Sequence, residues 1–226
     1  MAIPVAPMAL PAADDDNSGQ FTMHPIVDTH VRGKALSVVY TNDPVSIESS
    51  IQTMEQFLAE DKYQVVGFDL EYTIGRAGHD QKVAITQLCV RHDILIYHYH
   101  LATRSCERFS RFINNSDYKF AAVDTTNDLK ALKVSGLKCP NLVNIQDHYK
   151  VWGSAKNKLN SLVDLASAII NPYYMKMKDE IKKDKDTWHS VWCERLDEEH
   201  VKYAANDVYT SYDMYRRIVD MRKCLV

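Results

Sequence analysis

Apolar residues fall along this chain in two rhythms, every second position or every third and fourth, and the changes of rhythm outline its elements. The period is two around Pro25-Ile26-Val27 and along Ala35-Leu36-Ser37-Val38-Val39-Tyr40, which predicts two short strands separated by the turn-like Arg32-Gly33-Lys34. Asn42-Asp43-Pro44 then punctuates, and Val45, Ile47, Ile51, Met54, Phe57 and Leu58 recur at helical spacing as far as Glu60. Val65-Val66-Gly67-Phe68-Asp69-Leu70-Glu71-Tyr72-Thr73 predicts a strand, and the β-rich runs Lys82 to Val90 and Asp93 to His98, parted by Arg91-His92, predict a hairpin. Three antiparallel strands in succession result. The connection from Glu71 to Lys82 holds Gly75 and Gly78 and predicts a mobile loop beside the acidic pair.

Beyond residue 100 the pattern alternates. Ser105 to Ile113 and Asn127 to Val134 predict helices, and Tyr118 to Val123 and Leu142 to Ile145 predict strands. Alternation of this kind implies parallel pairing through helical crossovers. Leu159 to Ile170 predicts a further helix closed by Asn171-Pro172, and residues 173 to 195 read as irregular. Asp197 then offers an N-cap, with Glu198 and Glu199 in a first turn favoured by the helix dipole. In that last helix Val201, Ala205, Val208, Tyr212, Tyr215 and Val219 form a narrow apolar stripe, while Tyr203 and Asp207, four apart, share a face away from it. The predicted fold class is α/β, a mixed sheet of three antiparallel strands plus parallel strands flanked by α-helices, and this order of elements resembles the ribonuclease H-like architecture.

Composition narrows the reading. A chain of 226 residues, 46% hydrophobic and 25% charged, can bury one sizeable core. Residues 1–22, with three prolines and Asp14-Asp15-Asp16, lack any period, so they are expected to be a disordered tail ahead of a single domain over 23–226. The net charge of −3 equals the three aspartates of that tail, so the remainder is formally neutral and offers no global positive field to nucleic acid. Any such binding must come from local patches and metal ions. Five cysteines without a Cys-x-x-Cys pair argue for reduced thiols and against a zinc ribbon. No apolar run approaches the ~20 residues of a membrane span. Neither a basic secretory start nor an Arg-rich transit peptide is seen, so cytoplasm or nucleus, with no membrane, is the expected compartment.

Candidate chemistry starts at Asp69-Leu70-Glu71. Period two puts both carboxylates on one face of one strand, where they repel each other and lose hydration, a cost that a divalent cation offsets well. By itself the pair could equally be an exposed sheet edge. Asp128, at the start of the helix after Tyr118 to Val123, and Asp207, with Tyr203, supply the remaining carboxylates and a phenol. Asp124 competes with Asp128 for its role. His98 and His100 share a strand face but lack a third ligand. Lys176, Lys178, Lys182, Lys183 and Lys185 could track phosphates, although Asp179, Glu180, Asp184 and Asp186 dilute them, and Trp188 with Trp192 could stack a terminal base or pack a core.

Phe68-Asp69-Leu70-Glu71, Val123-Asp124-Thr125-Thr126-Asn127-Asp128 and Tyr203-Ala204-Ala205-Asn206-Asp207, in this order, resemble the three motifs of the Werner-type and ribonuclease D-type 3′-5′ exonucleases. That group is named for four acidic residues and a tyrosine. Gln87-Leu88-Cys89 and Asn144-Ile145-Gln146-Asp147 also resemble family segments, so the similarity runs from about Val65 to Ile218, and within the family it leans toward compact plant members. The second motif departs from the pattern, since the family usually has glycine before its aspartate; the resemblance favours Asp128 over Asp124, because that choice leaves Leu132 in register with the motif's later apolar position. The resemblance implies two divalent cations, Mg²⁺ or Mn²⁺, held by Asp69, Glu71, Asp128 and Asp207, with Tyr203 orienting the attacking water and helping to remove its proton. It implies hydrolysis of nucleic acid from a free 3′ end to nucleoside 5′-monophosphates; the alternative is a catalytically weak member that binds nucleic acid or a protein partner. RNA and DNA remain equally open, and such a compact domain could assemble into a homo-oligomer.

Overall fold

A computed structural model describes residues 19–29, 35–73, 80–151, 160–175 and 191–224. The strands are β1 (Thr22–Met23), β2 (Ile26–Asp28), β3 (Ala35–Thr41), β4 (Val65–Tyr72), β5 (Val83–Val90), β6 (Asp93–Tyr97), β7 (Lys119–Ala122) and β8 (Leu142–Asn144). They form one mixed sheet in the order β1-β3-β6-β5-β4-β7-β8, with β2 also on the free side of β3. β4, β5 and β6 are the expected antiparallel meander. β7 runs parallel to β4 and β8 parallel to β7, as the strand-helix alternation predicts.

Three helices, α1 (Pro44–Ala59), α2 (Glu107–Ile113) and α3 (Thr125–Val134), cover one face. Ile47, Ile51, Met54, Leu58, Phe109, Phe112, Ala131 and Leu132 pack there against Val66, Phe68, Leu70, Leu88 and Phe120. The opposite face carries α4 (Leu162–Ile169) and α5 (Glu198–Lys223), with Val201, Ala204, Ala205, Val208 and Tyr212 against Val65, Ile85, Cys89, Ile96 and Ala121. No described helix is long and apolar enough to cross a membrane.

Helix starts are set by local caps. Asp43 accepts a hydrogen bond from Ser46 N–H and Pro44 occupies the first turn, so α1 begins at the predicted punctuation. Ser161 and Asp164 form a reciprocal capping box that starts α4 at Leu162, later than the predicted Leu159, which lies outside the described residues. α3 starts at Thr125, two residues before its predicted position, because Asp124 takes a left-handed conformation (φ 58°, ψ 62°) and turns the chain directly out of β7. Asp128 is therefore the fourth residue of α3 and closes its first turn.

Two expectations need larger correction. The predicted tail reaches Thr22, yet Thr22 pairs with Thr41, Phe21 N–H donates to Asn42 Oδ1 at 2.8 Å, and the Phe21 ring packs 4.9 Å from that of Tyr40. An aromatic anchor draws these residues onto the sheet. The stripe on the last helix is also wider than predicted. Asn206, Thr210, Ser211, Met214 and Ile218 are buried as well, since α4 covers the side that the pattern left to solvent.

Candidate active site

β4 outruns its parallel neighbour. β7 ends at Ala122, one pair beyond Gly67–Ala121, whereas β4 continues to Tyr72, so Asp69 and Glu71 stand past the end of β7. The first turn of α3 closes this space on one face and α5 on the other. Such a crevice, outside the carboxyl ends of parallel strands, is where open α/β sheets bind ligands.

Alternation directs Asp69 and Glu71 to the α5 face. The close approach of α5 depends on Gly67: a Cβ at that position would lie 2.5 Å from the Val208 carbonyl oxygen and 2.8 Å from Tyr212 Cβ. With bare backbone there, the helix rests on the strand and lowers Asp207, the neighbour of Val208, beside the β4 pair. Tyr203 lies one turn earlier on the same side of α5 and hydrogen-bonds the Asp207 carboxylate.

These groups act on one another. Burial pushes the Asp69 carboxyl well above the carboxylate range, and the charges of Asp128 and Asp207 push it further. Glu71 is raised by burial and then by Asp69, Asp207 and Asp128. Burial lifts Asp207 to about 7 against the pull of the Tyr203 hydrogen bond, and lifts Asp128 to about 6 against the pull of Tyr72. The Tyr203 phenol is driven far above its ordinary value, first by Asp207, then by burial and by Glu71 and Asp69. It is a firmly protonated donor. The charges of Asp128 and Asp207 thus reach both Asp69 and Glu71, and those of Asp207, Glu71 and Asp69 reach Tyr203, so the five sequence-predicted residues share one electrostatic neighbourhood; perturbed acids of this kind are enriched at functional sites.

Asp124 is exposed and Asp128 is 2% exposed, which separates the two rivals. Asp128 Oδ1 accepts a hydrogen bond from the Tyr72 hydroxyl, while its Oδ2 is buried with no hydrogen-bond partner. Tyr72 escaped the sequence reading. The signal was a phenol directly after the acidic pair, which alternation sends to the opposite face, where α3 lies. Gln87 was quoted only as part of a resembling segment; an amide within an otherwise apolar run such as Ala84 to Val90 is a signal of its own. Tyr72 also walls a cleft of about 750 Å³ along α3, together with Gln81, Asn127, Lys130 and Lys133.

The remaining candidates are placed elsewhere. β6 ends at Tyr97, so His98 and His100 do not share a strand face: His98 is buried, with Nδ1 2.7 Å from the Tyr40 hydroxyl, and His100 is exposed. Burial and His100 hold His98 down to about 3, a neutral core imidazole. Trp192 is 2% exposed and packs against His200 and Tyr203, which makes it a support for the start of α5 rather than a stacking surface. The lysine-rich piece, Trp188 and the predicted loop at Gly75 and Gly78 lie outside the described residues.

The donor set is all oxygen, which suits a hard divalent cation. Among the described residues, however, no three His, Cys, Asp or Glu side chains are gathered closely enough to hold an ion as they stand. Asp128 Oδ2, without a hydrogen-bond partner among the described residues, is the oxygen that a cation would satisfy. The residues fit such an ion chemically and would have to draw together around it.

The fold agrees with solved nucleases. The Nibbler exonuclease domain of Aedes aegypti superposes with a TM-score of 0.55 at 15% identity, covering 79% of this chain and 86% of that one. Escherichia coli RNase D gives 0.57 at 15% identity over 78% of this chain and 44% of that one. Trypanosoma brucei RNase D in complex with GMP gives 0.65 at 14% over 80% and 57%. The chain thus spans about half the length of the RNase D proteins it matches. A comparison with curated protein sequences finds no match. The family model described as 3′-5′ exonuclease matches residues 44–222, from the first turn of α1 to the last turn of α5, and the chain belongs to that 3′-5′ exonuclease family.

Proposed function

We propose that this protein is a metal-dependent 3′-5′ exonuclease that hydrolyses phosphodiester bonds from a free 3′ end and releases nucleoside 5′-monophosphates. The observation that carries the reading is the gathering of four acids from three separate elements at the carboxyl end of β4, where Asp69 and Glu71 are raised by burial and by the charges of Asp128 and Asp207, and where Asp128 and Asp207 are themselves raised by burial. Uncompensated, this is costly to the fold, and cation binding is the compensation that hard carboxylate oxygens provide.

Asp69 and Glu71 would share the ions with Asp207 from α5 and Asp128 from α3. Bound there, divalent cations supply charge neutralisation for the phosphate and acidify a coordinated water. The chain's own contributions are positional. Tyr203, kept protonated by its acidic neighbours, donates to Asp207 and orients the attacking water, which narrows its earlier part as a proton acceptor. Lys130 and Lys133, on the cleft beside Tyr72, favour an incoming strand by charge.

RNA is the favoured polymer, because a solved neighbour, T. brucei RNase D, was captured with RNA U12. The deciding experiment incubates 3′- and 5′-labelled RNA and DNA single strands with Mg²⁺, Mn²⁺ or chelator. Ladder shortening from the 3′ end with mononucleotide release, lost in chelator and in Asp69→Asn with its circular dichroism unchanged, is the expected result. Cleavage by Asp69→Asn in metal, or by the unaltered protein in chelator, refutes the assignment. Binding without cleavage by the unaltered protein would favour the catalytically weak alternative.

A further inference from the structure

The register of β4 against β5 places Gln87 directly opposite Asp69, and side chains facing each other across an antiparallel pair share one face of the sheet. Gln87 is 0% exposed, and among the described residues neither its buried Nε2 nor its buried Oε1 has a hydrogen-bond partner. A buried primary amide with neither function satisfied is costly, and cores do not keep one without a use. Ile85 and Cys89, its neighbours on that face, are apolar and buried, so the amide stands alone among apolar neighbours on its own strand, facing Asp69 directly and Glu71 diagonally across the pair. Among the described residues, the Asp69 carboxylate accepts from the adjacent Leu70 N–H at Oδ1, at 3.0 Å, which leaves Oδ2 open to a further donor.

We infer that Gln87 is a positioning residue: when Asp69 draws in around a divalent cation, the Gln87 Nε2–H donates to its free oxygen and fixes the carboxylate across the strand pair. The inference rests on the exonuclease reading for its catalytic consequence, and on the register and burial for its geometry. A neutral amide is suited to the task. It supplies a donor without a cation that would compete with the metal, and hydrogen bonds that orient metal ligands commonly govern affinity by 10- to 100-fold.

The test titrates Mn²⁺ into the 226-residue chain by calorimetry and by thermal shift, for the unaltered chain, Gln87→Met and Gln87→Asn, and measures kcat and KM on a labelled single strand. Gln87→Met keeps the side-chain length and removes the donor; it is expected to weaken Mn²⁺ binding about 10-fold or more and lower kcat similarly, with KM unchanged and the melting temperature in chelator equal or higher. Gln87→Asn, one methylene short, is expected to fall between. Mn²⁺ affinity in Gln87→Met within twofold of the unaltered protein overturns the inference, as does a loss that appears only with a lowered melting temperature in chelator, which marks a packing role. If the unaltered protein binds Mn²⁺ but cleaves nothing, the nuclease reading fails while the Mn²⁺ titrations still decide on Gln87; if it binds no Mn²⁺, both fall.

Discussion

A single hydrogen bond at Asp128 separates two kinds of substitution. The carboxylate is 2% exposed, Oδ1 is held by the Tyr72 hydroxyl and Oδ2 has no hydrogen-bond partner. Tyr72→Phe leaves a buried charge with nothing to hold it, and a hydrogen bond to a charged group is worth about 1.5–3 kcal/mol. Loss of stability of that order is expected in urea unfolding at pH 8 in chelator. Asp128→Asn removes the charge and its repulsion instead, so under the same conditions it is expected to be neutral or stabilising while abolishing cleavage. Equal losses in both variants would show that the pair is held by packing alone. At this scale the sequence disclosed the residues whose spacing is local. Asp69 and Glu71 follow from period two, and Tyr203 and Asp207 from one helical turn. Tyr72 and Gln87 were not legible as partners, because their importance lies in contacts 56 residues away in one case and across a strand register in the other.

α5 positions the site through Gly67. The Val208 carbonyl and Tyr212 Cβ occupy the room a side chain would need, and both are parts of the helix that cannot swing aside. Gly67→Ala must therefore lift α5 from β4, an overpacking cost of roughly 1–3 kcal/mol or more. Asp207 and Tyr203 move with the helix, so activity is expected to fall by far more than the fraction unfolded accounts for. Turnover per folded molecule, compared with the melting temperature, checks this; parallel loss of the two would place Gly67 in stability alone. The periodicity of α5 and its Asp197 cap were legible, the cap accepting from His200 N–H as expected. Its burial on both sides was not, because the covering helix α4 is separated in sequence and nothing in a helical repeat records what lies outside it. For the same reason the parallel pairing of β3 with β6 had no signal in either strand.

For the molecule as a whole, the clustered acids tie stability to pH and to metal. Asp69, Glu71, Asp128 and Asp207 are all raised in the folded chain, Asp128 to about 6 and Asp207 to about 7, from ordinary values near 4. A carboxyl that holds its proton more tightly when folded makes the native state the better proton binder between its ordinary and raised values. Stability must then increase as pH falls through that window, with the full penalty present above it and no further gain below about 4. The magnitude is on the order of a few kcal/mol after allowance for the partial exposure of Asp69, Glu71 and Asp207. Melting temperature in chelator is therefore expected to rise from pH 8 to pH 5, opposite to the acid destabilisation of a protein held by surface ion pairs. Saturating Mn²⁺ replaces the protons, so the same scan in metal should flatten or reverse, with its largest stabilisation at pH 8. Asp69→Asn supplies the control, since removing one charge should raise the chelator melting temperature at pH 8 and abolish most of the Mn²⁺ shift. A chelator curve that falls toward pH 5 would mean that burial and neighbouring charge do not raise these acids in solution, and a cation would have no penalty there to relieve.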